Sequence, residues 1–368
     1  MMKFLLGFFG ILAIIAAGIY GFLQTEKFGA LPSGERLARI EQSPNYRDGI
    51  FQNLQPTIQW TSEESRFSGI LNLFKSNPQT RPKMPIPVEK TDLFQLPPDQ
   101  NLFVWFGHSG YLLQLDGKKY LVDPTLVSAS PVSFFGEPMQ GADYFKPEHI
   151  PPVDVLIISH DHWDHLDFDT VQAIKNRVGK VVTSLGVGAH FERWGWAKNQ
   201  LIELDWNESA PLFDGVKITA LPARHFSGRS LTGQKTLWSS FMLQTPTQTV
   251  YLGGDSGSAD FYADIAKRFP KITLAILENG QYNEKWANIH TLPAQLPNTV
   301  KTLNPAKFVT VHNSKYVLAS HPWNEPMIEI AKNAKAQNLP LYTPKIGEVM
   351  NVDNDEPNKF SAWWETIE

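Results

Sequence analysis

The sequence predicts an α/β protein in which mixed β-sheets are covered by helices. Three observations carry this. From residue 101 onward, short apolar and β-branched runs alternate with helical stretches. Hairpins near 102–122 and 238–252 add antiparallel pairs to the parallel ones. His and Asp clusters follow strand ends, where open α/β sheets place their ligands.

Taken in order, the chain begins with 20 uncharged residues, Phe4 to Leu23, after Lys3. A helix of that length spans a bilayer, so residues 1–23 read as an uncleaved signal-anchor, with a cleaved signal as the alternative. Lys3 favours an extracytoplasmic, periplasmic-side domain; Arg36 and Arg39 leave the cytoplasmic side open. Residues 24–100 are irregular, apart from a helical stretch near Glu35–Ile40, and read as an extension packing on a catalytic domain over 101–368. In that domain Leu102–Phe106, Tyr111–Leu115 and Lys119–Val122 read as strands, with Asp116-Gly117 as a tight turn. Val153–Ser159 is a buried strand, Asp169–Val178 a helix, Val181–Thr183 a strand and Val187–Trp194 a helix. Val216–Leu221, Trp238–Leu243, Thr249–Leu252, Thr273–Leu277 and Lys307–Val311 follow as strands. Ser258–Arg268, Leu292–Leu303 and Pro326–Gln337 follow as helices.

Composition narrows the function. With 42% hydrophobic and 19% charged residues the chain is globular. Net charge is −4 and no basic patch shows, so a nucleic-acid partner is not expected. Cysteine is absent, which excludes disulfides, thiolate ligands and a Cys nucleophile. A transition-metal site must then use His and carboxylates. The sequence leaves the oligomeric state open.

Strand Val153–Ser159 runs directly into His160-Asp161-His162-Trp163-Asp164-His165. In extended backbone, residues two apart project the same way, so His160 and His162 can grip one ion. The turn toward the next helix can aim Asp164 and His165 at a second. Other strand ends supply further donors: His225 after Val216–Leu221, Asp255 after Thr249–Leu252 and His312 after Lys307–Val311. A lone histidine of this kind would read as structural; together they read as one centre.

The stretch I-S-H-D-H-W-D-H-L-D resembles the H-x-H-x-D-H signature of the metallo-β-lactamase superfamily. More narrowly, W-F-G-H-S-G-Y-L-L-Q, V-D-P, P-A-R-H-F-S-G-R, T-L-W-S-S-F and G-G-D-S-G resemble the N-acyl-phosphatidylethanolamine-hydrolysing phospholipase D branch and its bacterial RomA-like members. The resemblance implies the αββα four-layer sandwich. It also implies two divalent ions, zinc first, with iron or manganese as alternatives. His160, His162 and His225 would hold one ion, and Asp164, His165 and His312 the other. Asp255 would bridge them, with a hydroxide between. Glu278-Asn279-Gly280 departs from that branch, which has a more apolar segment there.

His108 and His290 are candidates to contact substrate alongside Asp164, each with a structural reading beside it. Asp123 reads as structural, tying the metal loop. Arg224 and Arg229 read as surface ion-pairing residues, with phosphate binding as the alternative, and His149 and His190 as structural or exposed. The function expected is phosphodiester hydrolysis of a lipid-like substrate, near a membrane reached through residues 4–23. Lactone, β-lactam or thioester hydrolysis is the second reading, and a non-catalytic tethered metal-binding module the third.

Overall fold

The computed structural model describes residues 2–62 and 78–367; the part of the N-terminal extension at 63–77 lies outside them. Helix α1 (Met2–Leu23) precedes α2 (Gly34–Glu41) and a small hairpin of β1 (Tyr46–Arg47) and β2 (Ile50–Phe51). The first large sheet takes β3 (Leu102–Trp105), β4 (Tyr111–Leu115), β5 (Lys118–Val122), β6 (Val153–Ile158), β7 (Val178–Ser184) and β8 (Leu201–Leu204) in sequence order. Helices α3 (Phe168–Ile174) and α4 (Gly188–Arg193) fall between its later strands.

The second sheet starts with β9 (Ser209–Phe213), β10 (Val216–Leu221), β11 (Ser240–Gln244) and β12 (Thr249–Leu252). After α5 (Phe261–Arg268), β13 (Leu274–Glu278), α6 (Leu296–Leu303) and β14 (Phe308–Val311), it closes past α7 (Glu325–Gln337) with β15 (Leu341–Tyr342). Strand β16 (Val349–Asn351) then returns to the first sheet and pairs antiparallel with β3. Each sheet is antiparallel through one half, β16-β3-β4-β5 or β9-β10-β11-β12, and parallel through the other. Asp116 and Gly117 both take left-handed φ, 47° and 75°, which the two-residue turn between β4 and β5 demands.

The inner faces of the two sheets share one core that contains Val155 and Ile157 as well as Phe241, Val250 and Ile276. Helix α3 adds Val171 and Ile174 to it from outside. Ile265, Val300 and Ile330 of α5, α6 and α7 cover the outer face of the second sheet. The layering is helix, sheet, sheet, helix, and the ends of β5, β6, β10, β12 and β14 bring Asp123, the 160–165 loop, His225, Asp255 and His312 together along one edge.

Several elements differ from expectation. Strand β7 begins at Val178, because the helix before it ends at Ile174 and tightens into a short 3₁₀ turn. Strands β8, β9, β15 and β16 were not expected; they are the four edge strands of the two large sheets, and β15 and β16 are only two and three residues long.

The expected bilayer-spanning segment is not supported: among the described residues no helix is long and apolar enough to cross a membrane. Helix α1 runs from Met2 to Leu23, and its side chains from Phe8 to Phe22 are exposed. Its far end is bound to the domain, Phe22 packing on Phe28 and Phe28 on Trp163, each with ring centroids 5.1 Å apart. Beyond it, Arg36 of α2 pairs with Glu192 and Glu203 at 2.9 and 2.8 Å.

Candidate metal centre

The loop after β6 is fixed before it offers any ligand. Asp123, at the end of β5, accepts from the Ser159 amide at 2.8 Å and the Ser159 hydroxyl at 2.6 Å. Alternation along the extended loop then separates roles. His160 and His162 face the centre. Asp161 faces away and accepts from His190 Nε2 (3.0 Å), Thr236 Oγ1 (2.8 Å) and the Gly228 amide (2.7 Å). Burial opposes ionisation of Asp161, but the His190 contact outweighs it and holds the carboxyl below its ordinary range. Arg229 is buried under the same loop, donates to the carbonyls of Asp161 and Leu166, and stacks 3.9 Å from the Trp163 ring centroid.

Two neighbouring groups result. In one, His160 Nε2 lies 2.9 Å from His162 Nδ1, which lies 3.1 Å from His225 Nε2. In the other, donor atoms of Asp164, His165, His312 and His108 converge. Asp255 sits between: its Oδ2 is 3.1 Å from His165 Nε2, 3.6 Å from His225 Nε2 and 4.0 Å from His160 Nε2. His312 Nδ1 lies 3.2 Å from Asp255 Oδ1, yet the angle is wrong for a hydrogen bond and this buried oxygen has no such partner among the described residues.

The residues fit cations. The outward ring nitrogens are already engaged: His165 Nδ1 by Asp123 (2.9 Å), His225 Nδ1 by the Ile289 carbonyl (2.8 Å) and His160 Nδ1 by Ser159 Oγ (3.0 Å). Such partners fix the ring and the tautomer and leave Nε2 for the centre. Burial keeps His160, His225 and His312 well below the ordinary imidazole range, so their lone pairs are free. Burial also opposes charge on Asp164 and Asp255, but the neighbouring His165 outweighs it and both stay ionised. His165 is the reciprocal case: burial pushes it down, and the Asp255 and Asp164 charges raise it well above the ordinary value. A cation would displace that proton.

Backbone geometry serves the same end. His108, Asp123 and His312 all sit in the left-handed region, with φ of 52°, 41° and 71°. His108 and His312 are locked together, since the His312 amide donates to the His108 carbonyl at 2.9 Å. A side chain on Gly280 would collide with the His312 carbonyl, so the chain just after β13 can pass this close only with glycine there.

Of the residues expected to contact substrate, Asp164 accepts from His108 Nε2 at 2.9 Å, which buries His108 beneath the centre rather than in the cavity above it. His290 does line that cavity; its Nδ1 is 2.8 Å from Glu278 Oε2. Burial pushes the Glu278 carboxyl up to about 7, against the pull of His290. Arg229 is corrected: far from a surface ion pair, it is 4% exposed and holds the metal loop. Arg224 is half-buried and donates to Thr57 Oγ1 and the Ser258 carbonyl, outside the cavity. His190 is buried and structural, and His149 stacks on Tyr144.

The cavity above the centre holds about 370 Å³. Trp60, Phe226, Trp286, Ile289 and Leu318 form its apolar wall, with Gln59 and Gln281 as neutral polar groups; among the described residues no Lys or Arg lines it. Trp60 comes from an aperiodic stretch and carries no local signal of a role in the site.

Comparison with known proteins agrees. The family model described as the Beta-lactamase superfamily domain matches residues 118–313, which include every expected metal ligand. An uncharacterized protein of Mycobacterium tuberculosis is 35% identical over 330 residues, 88% of this chain and 88% of that one. N-acyl-phosphatidylethanolamine-hydrolyzing phospholipase D 1 of Caenorhabditis elegans is 27% identical over 300 residues, 74% of this chain and 82% of that one. Among solved structures, Igni18, a metallo hydrolase of Ignicoccus hospitalis, matches with a TM-score of 0.53 at 19% identity, over 68% of this chain and 97% of that one. At that identity the likeness speaks for the fold. With the domain match spanning the whole ligand set and these groups able to hold metal, the chain belongs to the metallo-β-lactamase superfamily and is a metal-dependent hydrolase of it.

Proposed function

We propose that this hydrolase cleaves a phosphodiester bond in a lipid-like substrate. The observation that carries the reading is the single cavity in which the His/Asp centre faces an apolar wall. His160, His162 and His225 would hold one divalent cation, and Asp164, His165 and His312 a second, with Asp255 shared. Zinc suits this nitrogen and carboxylate set best, and iron or manganese also suit it. Two such cations lower the pKa of water toward neutrality and offset charge developing on the reacting oxygens. The protein's own groups do the rest. Asp123 and the Ile289 carbonyl keep the imidazoles aimed, Glu278 turns His290 so that its other nitrogen faces the cavity, and the apolar wall excludes bulk water. The similarity to a phospholipase D supports the same reading. Exposed apolar side chains on α1, Ile14 at 73% among them, support contact of that end with a lipid phase.

Acyl chemistry on a lactone, β-lactam or thioester is the second reading. Among the described residues no Lys or Arg lines the cavity, which favours it, because those residues leave a phosphodiester headgroup to be recognised by the centre and neutral groups. The zinc-loaded protein, checked by elemental analysis, should hydrolyse bis(p-nitrophenyl) phosphate faster than a γ-lactone, nitrocefin or a thioester. Turnover confined to the acyl substrates would replace the first reading with the second.

A further inference from the structure

The cavity wall is not built by the domain match alone. Residues 53–61 lie well before residue 118, where that match begins, yet they cross the mouth of the site and are pinned on both sides. At one side, Asn53 grips the main chain of His225 twice: its Nδ2 donates to the His225 carbonyl at 2.8 Å, and its Oδ1 accepts from the His225 amide at 3.1 Å. At the other, the Thr61 amide donates to the Lys285 carbonyl at 2.7 Å. Between them, Asn288 Nδ2 donates to the Ile58 carbonyl at 3.0 Å. A segment fastened so closely to a metal-ligand candidate keeps its position relative to the reacting centre.

What it carries there is Trp60. Its ring is tilted 33° to that of Trp286, with centroids 5.9 Å apart. Phe226 continues the wall inward and packs 4.4 Å from the His162 ring and 4.9 Å from the His225 ring. Ile289 and Ala319 back the same cluster. The aromatic surface thus runs without a break from the imidazoles of the centre to the rim. Among the described residues no cationic side chain interrupts it. Flat, rigid, uncharged walls of this kind bind apolar groups at low entropic cost.

We propose that residues 53–61 are a specificity strap, in which Trp60 together with Trp286 seats an uncharged apolar arm of the substrate while the scissile group lies at the centre. The proposal rests on the hydrolase reading of the same cavity and adds which part of the substrate is selected, and by which residues. Trp60 is a binding residue; Asn53 is a positioning residue that holds the strap in register with His225.

The test uses the full-length, zinc-loaded protein and two non-hydrolysable probes, methylphosphonate and octylphosphonate, titrated by calorimetry. The wild type should bind the octyl probe at least about tenfold more tightly than the methyl probe. Trp60→Ala should erase about tenfold of that preference, with zinc content and methylphosphonate affinity unchanged. Leu54→Ala, on the same strap but outside the cavity wall, should behave as wild type. If Trp60→Ala fails to hold zinc, Trp60→Gln gives the same comparison with a side chain that fills the rim without a ring. Equal affinity of the wild type for both probes, or an undiminished octyl preference in the Trp60 variants, overturns the proposal. A wild type that hydrolyses no phosphodiester or acyl substrate while keeping the Trp60-dependent octyl preference would sink the hydrolase reading and leave the apolar-arm site standing.

Discussion

Asp255 has one carboxylate oxygen within 4.0 Å of three imidazoles drawn from both donor groups, and the other without a hydrogen bond. A group so placed can offset the repulsion between two cations. Asn has nearly the same shape but no charge, so Asp255→Asn should lower bound metal from two ions per chain toward one. Turnover should drop by on the order of a hundredfold or more. Elemental analysis of both proteins checks this; two tightly held ions in the variant would remove Asp255 from the bridging position. Lys315 offers a second check at this scale. It is fully buried and donates to the carbonyls of Phe106 and Thr125. Burial depresses it to about 7, below its unfolded value, so the native state binds fewer protons than the unfolded state above pH 7. Stability of the metal-free protein should therefore rise with pH from about 7 toward 10 from this group, and Lys315→Met should flatten that slope in urea titrations.

At the scale of elements, the six-residue metal loop depends on segments that are remote in sequence. Arg229 joins it to the stretch after α1 through the Lys27 carbonyl as well as to Asp161 and Leu166. Arg229→Ala would leave buried carbonyls without donors, a cost of about 2–4 kcal/mol, and should weaken zinc binding roughly 10–100-fold. An unchanged urea midpoint and zinc affinity would show that the loop holds itself. This dependence also marks where sequence reasoning stops. His160, His162, His225 and His312 were legible because each stands just after a strand whose apolar run is plain. Arg229 was misread because nothing local distinguishes a buried arginine gripping carbonyls from a surface one. Asn53 and Trp60 were invisible because the strap has no period and its meaning lies wholly in what it touches. Strands β15 and β16 were missed for a related reason, being two and three residues long.

For the molecule as a whole, α1 stands apart from the two-sheet core. Its described side chains from Phe8 to Phe22 are exposed on every face, and Phe22 packs on Phe28 at the junction. Removing residues 1–23 should leave zinc content unchanged and shift the midpoint of thermal unfolding by no more than a few degrees, since little apolar area is buried there. A fall of more than about ten degrees would mean that α1 belongs to the folding unit. The mixed sheets were legible from the two hairpins, whereas the order of their edges was not, because β16 pairs with a strand far away in the chain.

That return of β16 to β3 has a consequence for the protein's synthesis. Strand β3 leaves the ribosome about 250 residues ahead of its partner at Val349–Asn351. At ~5–20 residues per second the interval is roughly a quarter of a minute or longer. Throughout it the β3 edge presents unpaired amides and carbonyls flanked by Phe103 and Trp105, a surface on which another nascent chain could add a strand. When that later segment arrives, it closes the edge with β16 and lays Trp363 against Trp105, ring centroids 6.3 Å apart. The segment from Val349 to Trp363 thus acts as an intramolecular seal, and its removal would expose the same edge in the finished protein.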